Sequence, residues 1–383
     1  MTETSTITLS KSALQTNIDF IQKIIGGKTE LVSVVKGNAY GHDIKTFVPM
    51  ANECGIKSFA VFSAFEAHQV LETQPNLDRL MIMGALSSGD IEWVIKNKID
   101  FFLFNESRLE KAIKIAKQSN EKARIHIEID TGLHRTGFKL DQLPRLIKLL
   151  KEYRKNIIIE GVCTHLAGAE DVSNHLRVRQ QIKTFNAAQK ILKNNGIQFK
   201  KAHAACSAAI INYPKTILDM VRVGIMQYGF WPSKEVKVAY FTQKKDRQDP
   251  LSRVISWKSH VIDVREVEEG EYIGYGRSFL AESDMKIAIV PVGYAHGYSR
   301  SLSNIGKAII NNTRVSVVGI VNMNMVIFDV TNTPNTKEGD EAILIGKTEN
   351  LEISVASFSD LSDQLNYELL TRLPNSIPRI PIA

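Results

Sequence analysis

Lys36 ends an otherwise apolar run, LVSVV (31–35), and opens KGNAYGH (36–42). An ammonium at the end of such a run is costly to bury unless it is neutralised or bonded. Two readings meet that cost. Either the head group snorkels out to water, or the amine is a Schiff-base lysine carrying an electrophilic cofactor. The two glycines of GNAYGH would let backbone approach a ligand. Four further residues suited to anion binding or proton transfer also follow or interrupt apolar runs. They are Arg135 in DTGLHRTGF (130–138), His165 in GVCTHLAG (161–168), Ser207 in HAACSAA (203–209) and Arg222 in VRVGIMQYG (221–229). Singly, three of them have plain roles: a surface charge, a core histidine and a helix N-cap. Arg222 is harder to place, because an unpaired guanidinium among apolar strand neighbours is expensive. Ser207 with Gly224 and Ile225 suits a phosphate.

The runs that carry these residues recur regularly: 31–35, 58–63, 80–84, 100–105, 124–130, 157–166, 199–207 and 220–225. Most are nearly all apolar, the pattern of parallel strands covered on both faces. Helical periods lie between them, with Ser88 and Asn105 placed as N-caps. Eight strands alternating with helices predict an α/β fold, a (β/α)8 TIM-type barrel over residues 11–240. A doubly wound sheet is the competitor, and the lack of GxGxxG argues against a dinucleotide-binding version of it. In a barrel, residues at strand C-termini gather on one face, and Lys36, Arg135, His165, Ser207 and Arg222 all fall there. From 241 to 383 the runs shorten and alternate, as in VISWKSHVIDVREV (254–267) and GKAIINNTRVSVVGIVN (306–322), which predicts a C-terminal β-rich domain. One helical period, VASFSDLSDQL (355–365), interrupts it, and the N-terminal strand within residues 1–10 is expected to join it.

The net charge of +7 is spread along helical segments with no aromatic-interleaved basic block, so no nucleic-acid partner is expected. No apolar stretch is long enough to span a membrane, and MTETSTITLS lacks the marks of a secretory signal. Three cysteines without CxxC spacing fit a reducing cytoplasm. The nine histidines show no metal-ligand spacing.

The segment VVKGNAYGH resembles the cofactor-lysine signature of the alanine racemase family, whose members use pyridoxal 5′-phosphate. The resemblance runs the length of the chain through DTGLHRTGF, THLAGAED, HAACSAA, VRVGIMQYG, IGYGRSF (273–279), VGYAHGYSRSLSN (292–304), VVGIVNMNM (317–325) and NYELLTRLPNSIPRI (366–380). It implies that Lys36 holds the cofactor and acts as one of two bases. Tyr275 is then the second, reaching the partner's site in a head-to-tail homodimer. Racemisation needs both, since a proton must leave one face of a planar carbon and return to the other. A phenol with a reference pKa of ~10 must be lowered to act near neutrality, and the resemblance sets His165 and Arg222 near it. It also places Arg222 against the pyridine nitrogen. A guanidinium does not readily protonate that nitrogen, which leaves the ring a weaker electron sink. By the same resemblance Tyr40, Ser207, Gly224 and Ile225 hold the phosphate. Arg135 contacts the cofactor's phenolic oxygen and the substrate carboxylate, which the backbone at Met323 also binds, and Tyr294 lines the substrate site.

The chain departs from the family pattern at four positions. Glu128 stands where many members carry a lysine, often carbamylated, and a built-in carboxylate there would orient Arg135. Cys206 replaces an asparagine, and Asn324 an aspartate. Asn375 replaces a tyrosine that narrows the substrate pocket, which implies relaxed specificity. The expected activity is conversion of L-alanine to D-alanine for peptidoglycan. A broad-specificity, serine or basic amino-acid racemase and a non-catalytic cofactor-binding protein are the alternatives. A decarboxylase of the same fold would need a cysteine in the β domain, and Cys54, Cys163 and Cys206 all precede it.

Overall fold

The computed structural model describes residues 3–242, 244, 248–355 and 366–383. Two compact units emerge. One comprises residues 13–37 and 48–252; the other comprises 1–12, 38–47 and 253–383.

The first unit is the barrel. Its strands are β2 (Glu30–Val34), β3 (Ser58–Val61), β4 (Arg79–Ile82), β5 (Asp100–Leu103), β6 (Ala123–Glu128), β7 (Ile157–Cys163), β8 (Lys201–His203) and β9 (Met220–Val223). The N-terminal strand of the other unit, Ser5–Ser10, is β1. The eight barrel strands are all parallel, in the order β8-β7-β6-β5-β4-β3-β2-β9. A bridge between Cys206 and Arg222, with Arg222 N–H donating to Ala205 O (3.0 Å), draws the two end strands together. Every residue of β3, β5 and β9 is buried, because helices cover the outer face and the barrel fills the inner one. The helix Leu143–Glu152 shows how the covering layer is specified: Leu143, Leu146, Ile147 and Leu150 form one buried stripe. Asn105 caps the helix Glu106–Ser119 by accepting from Arg108 N–H. Ser88 does not cap its helix. The N-cap is Gly89, which has no side chain to cap with; in the turn before it the Ser87 hydroxyl accepts from Asp90 N–H while Asp90 Oδ2 accepts from Ser87 N–H.

At the strand N-termini the barrel is plugged by charge. Glu30, Arg79, Arg124 and Lys201 come from the alternate strands β2, β4, β6 and β8, the layering of this fold. They are tied together by Asp100 and Glu160 through Arg124–Asp100 (2.6 Å), Arg124–Glu160 (3.1 Å), Arg79–Glu30 (3.0 Å) and a close Arg79–Asp100 pair.

In the second unit the strands are β10 (Ile255–His260), β11 (Asp263–Val267), β12 (Met285–Val290), β13 (Lys307–Ile310), β14 (Thr313–Val317), β15 (Val326–Asp329), β16 (Glu341–Lys347), β17 (Glu352–Ile353) and β18 (Arg379–Ile382). With β1 they form one sheet, β11-β12-β15-β14-β13-β16-β10-β1-β18, with β17 beside β16. β1 runs antiparallel to β10, Ile7 opposite Trp257, and parallel to β18. Both β1 and β10 alternate buried and half-buried residues, the period of a sheet with one face in a core. The helical period expected at 355–365 lies, from 356 on, outside the described residues.

Candidate active site

β2 delivers Lys36 at its C-terminal end, and three bonds pin that end. Gln227 Nε2 and the Tyr228 hydroxyl both donate to Val34 O (3.0 Å each), and Ser33 Oγ donates to Gln227 Oε1 (2.7 Å). Glu66 fixes the next turn, accepting from Gly37 N–H (2.7 Å) and Phe62 N–H (2.8 Å). The Lys36 amine is held below the usual lysine value by burial first and then by the positive charge of Arg135; Glu66 pulls the other way, and Arg222 adds a smaller lowering.

Beyond Lys36 the backbone winds left-handed. Gly37, Asn38, Ala39, Tyr40 and Gly41 all have φ between 52° and 79°. For a non-glycine residue this costs about 1–2 kcal/mol, so Asn38, Ala39 and Tyr40 store strain next to the lysine. The turn is held by His42 N–H to Ala39 O and Asp43 N–H to Asn38 O (3.0 Å each). Gly41 has no substitute, because a Cβ there would lie 1.8 Å from Leu370 O.

Arg135 rides on the loop after β6. Asp130 Oδ1 accepts from Gly132 N–H (2.9 Å) and His134 N–H (3.0 Å), and Gly137, at φ 112°, lets the loop close on Asp130 N at a distance no Cβ would allow. Glu128 is buried behind it. Burial raises its carboxyl pKa above the usual range, partly offset by the Thr136 hydroxyl, Arg222 and Arg135. Its Oε2 has no hydrogen-bond partner among the described residues.

On β9 Arg222 is 5% exposed. Its Nη2 donates to Thr164 O (2.8 Å) and its Nη1 to His203 Nδ1 (2.5 Å). The histidine bonded to Arg222 is therefore His203, which the sequence reading did not single out. His165 feels Arg222, Arg135 and Lys36 as charges; burial first, then these cations, pull its pKa down to about 3, so its ring is neutral. Buried Ser207 accepts from Gly224 N–H at 3.1 Å, just where a short 3-10 turn, Ile225–Tyr228, begins. Lys36, Arg135, His165, Ser207, Arg222, Gly224 and Ile225 thus belong to one unit and one end of the barrel strands.

Tyr40 and the remaining expected residues lie in the second unit. Tyr275 sits at a hairpin tip closed by the Tyr272–Leu280 bridge, between two glycines of positive φ, and is 70% exposed. Tyr294 and Met323 are exposed on adjoining segments, where Ala295 N–H donates to Met323 O (3.0 Å). Gly293 permits this approach, since a Cβ there would meet Asn322 O at 2.1 Å. Asn324 is exposed beside them. Asn375 Oδ1 accepts from Asn38 Nδ2 (2.9 Å), and Asn38 Oδ1 accepts from Ile44 N–H (2.8 Å). The backbone donor fixes the Asn38 amide, and that in turn fixes the Asn375 amide with its oxygen, not its NH₂, on Asn38.

The alanine racemase N-terminal domain family matches residues 9–232, and the alanine racemase C-terminal domain family matches residues 254–381. The chain belongs to the alanine racemase family. Alanine racemase of Leptospira interrogans is 32% identical over 382 residues, covering 100% of this chain and 96% of that protein. Alanine racemase of Methanococcus maripaludis is 34% identical, covering 96% of each. Among solved structures, alanine racemase from Bacillus anthracis with bound L-Ala-P is 28% identical with a TM-score of 0.90, covering 100% of this chain and 96% of that one. Alanine racemase from Bartonella henselae with covalently bound pyridoxal phosphate is 26% identical with a TM-score of 0.85, covering 100% of each chain. As a member of the alanine racemase family, this chain is a pyridoxal-phosphate-dependent isomerase.

The donor set fits that cofactor. An amine held toward its free-base form, two guanidinium groups, the Ser207 hydroxyl and the backbone turn at Gly224 together suit an aldehyde, a phosphate dianion and a carboxylate. Glu128 adds a test of how Arg135 is held in this racemase. Its raised pKa means that the ionised form costs stability at neutral pH, a cost that vanishes as pH falls through the folded-state value. Glu128→Gln is therefore expected to raise Tm at pH 8, with the gain shrinking toward pH 4; if the carboxylate also orients Arg135 through its charge, turnover falls by about tenfold. Thermal melts at the two pH values beside alanine kinetics check it. Unchanged cofactor affinity and turnover would sink the orienting role.

Proposed function

We propose that this chain interconverts L- and D-alanine, with pyridoxal 5′-phosphate held on Lys36. The observation that carries the reading is the Lys36 amine itself. It closes an apolar strand at the end of the barrel that also gathers Arg135, His165, Ser207 and Arg222, and desolvation and the charge of Arg135 shift it toward the nucleophilic free base. When bound, the cofactor withdraws electrons from the amino acid Cα, so that its proton can be removed. Ser207, Gly224, Ile225 and Tyr40 bind the phosphate, and Arg222 faces the ring nitrogen. Arg135, Met323 and Tyr294 hold and border the substrate, with the carboxylate on Arg135 and the Met323 backbone. Lys36 moves the Cα proton on one face, and Tyr275, from the partner of a head-to-tail homodimer, moves it on the other. Neutral His165 adds no further charge beside Arg222. Buried Cys163 and partly buried Cys206, both free thiols, suit a reducing cytoplasm. Among the described residues no helix is long and apolar enough to cross a membrane.

Proton NMR of the loaded protein with amino acids in D₂O tests this. Loss of the alanine Cα–H signal together with appearance of the mirror-image product is expected. Exchange with no amino acid would sink the reading in favour of a binding protein.

A second reading, broader specificity, draws on Asn375. With its oxygen taken up by Asn38, the amide keeps its NH₂ as a donor for a polar side chain where a ring would fill the space. Serine is then expected to be turned over beside alanine. Asn375→Tyr should cut the serine-to-alanine ratio of kcat/KM by roughly 10–200-fold, the span of ~1–3 kcal/mol in a pocket contact. An unchanged ratio would reject it.

A further inference from the structure

A file of buried side chains descends the barrel interior from Arg222. Arg222 Nη1 meets His203 Nδ1 (2.5 Å), His203 Nε2 meets His126 Nδ1 (2.8 Å), and His126 Nε2 meets Asp100 Oδ2 (3.1 Å). Both histidines are fully buried and Asp100 is 1% exposed. The ends of this file settle every proton in it. A guanidinium only donates, so His203 Nδ1 carries no hydrogen and Nε2 must carry it. His203 Nε2–H then donates to His126 Nδ1, which leaves His126 Nε2–H to donate to Asp100. Asp100 accepts as a carboxylate: burial pushes its pKa up, but His126, Arg79 and Arg124 together hold it below the usual value. A further proton has no place. On His126 Nδ1 it would confront His203 Nε2–H, and on His203 Nδ1 it would confront Arg222. Burial lowers both imidazole pKa values in the same sense.

We propose that His203, His126 and Asp100 are positioning residues, a one-way hydrogen-bond relay that fixes Arg222 as a cationic donor toward the cofactor's ring nitrogen. The relay holds one Arg222 nitrogen on His203 while Thr164 O holds the other, so the guanidinium plane cannot turn. The ion cluster at the barrel's opposite end locks Asp100 and thereby the whole file. The part played toward the cofactor rests on the function proposed above; the proton arrangement does not.

Nitrogen NMR on wild-type protein labelled at histidine reads the arrangement directly. His126 and His203 are both expected as neutral Nε2–H tautomers that do not titrate between about pH 6 and pH 9, where a free histidine would begin to charge. His126→Leu, which cuts the relay, is expected to weaken pyridoxal 5′-phosphate binding about tenfold, the low end for losing an outer-shell partner, and to shift the absorption band of the bound cofactor. His126→Gln, which can accept from His203 and donate to Asp100, should restore both affinity and spectrum. An Nδ1–H tautomer or an imidazolium at either position in wild-type protein that binds cofactor would overturn the relay, whether or not the leucine variant folds. A leucine variant with wild-type affinity and spectrum, or a glutamine variant no better than leucine, would overturn the positioning role. Wild-type protein with both tautomers but no uptake of cofactor would overturn that role through the function it rests on.

Discussion

Lys36→Ala is expected to lower alanine racemisation by about 10⁴-fold or more. A single positioned acid–base group contributes up to about 10⁴-fold, and this amine is also assigned the covalent hold on the cofactor. About 10⁴-fold corresponds to roughly 5 kcal/mol of transition-state stabilisation. The loss should be chemical rather than structural. The bonds that shape this end of β2 run through Val34 O, Ser33 and the Gly37 amide and do not involve the lysine head. The variant should therefore melt within a few degrees of wild type. Borohydride reduction followed by peptide mass mapping should place the cofactor mass on Lys36 in wild type and nowhere in the variant. Racemisation by the variant within tenfold of wild type would refute the assignment.

Tyr275→Phe separates the two faces of the reaction. Removing one hydroxyl takes away the proposed base on one side of Cα and leaves Lys36 on the other. In D₂O, one enantiomer of alanine should keep exchanging its Cα proton while conversion between enantiomers falls by about 10²–10⁴-fold. The ring is 70% exposed at a hairpin tip, and substitutions at such places usually change stability by no more than about 0.5 kcal/mol. Unaltered Tm with lost conversion is the expected pair. Conversion at the wild-type rate would place the second base elsewhere.

The barrel was legible because its signal is local. Runs such as SFAV and DFFL are buried on both faces, which no other common element requires at that length, and each strand appears within a few residues of its run. The strand-end residues followed from the fold, since a strand's C-terminus marks the functional face. What escaped depends on geometry that spacing does not encode. Ser88 is the cap expected from the sequence, but the helix begins one residue later, after Gly89, and the serine that pairs with Asp90 is Ser87. Ser63 and Glu66 have the spacing of a capping box, a pair that the sequence reading did not single out. Ser63 does cap, but Glu66 turns away to hold Phe62 and Gly37, and so supports the lysine instead. His203 lies on a strand of three residues, too short for alternation to show that it faces inward. Its pairing with Arg222 comes from closure of the barrel between β8 and β9. Ala39 and Tyr40 carry no mark of a left-handed turn, yet both adopt it.

β1 is synthesised long before its neighbours. Its antiparallel partner begins at Ile255 and its parallel partner at Arg379. At about 5–20 residues per second, a first strand ending at Ser10 waits roughly 12–50 s for β10, while every strand of the barrel is synthesised. From Thr6 on its sequence, TITLS, alternates polar with apolar residues, so the nascent chain shows only Ile7 and Leu9 as greasy side chains. A strand left waiting that long with unpaired amides invites pairing with neighbouring nascent chains. The polar half of β1 is thus as much a provision for the interval of synthesis as for the finished sheet.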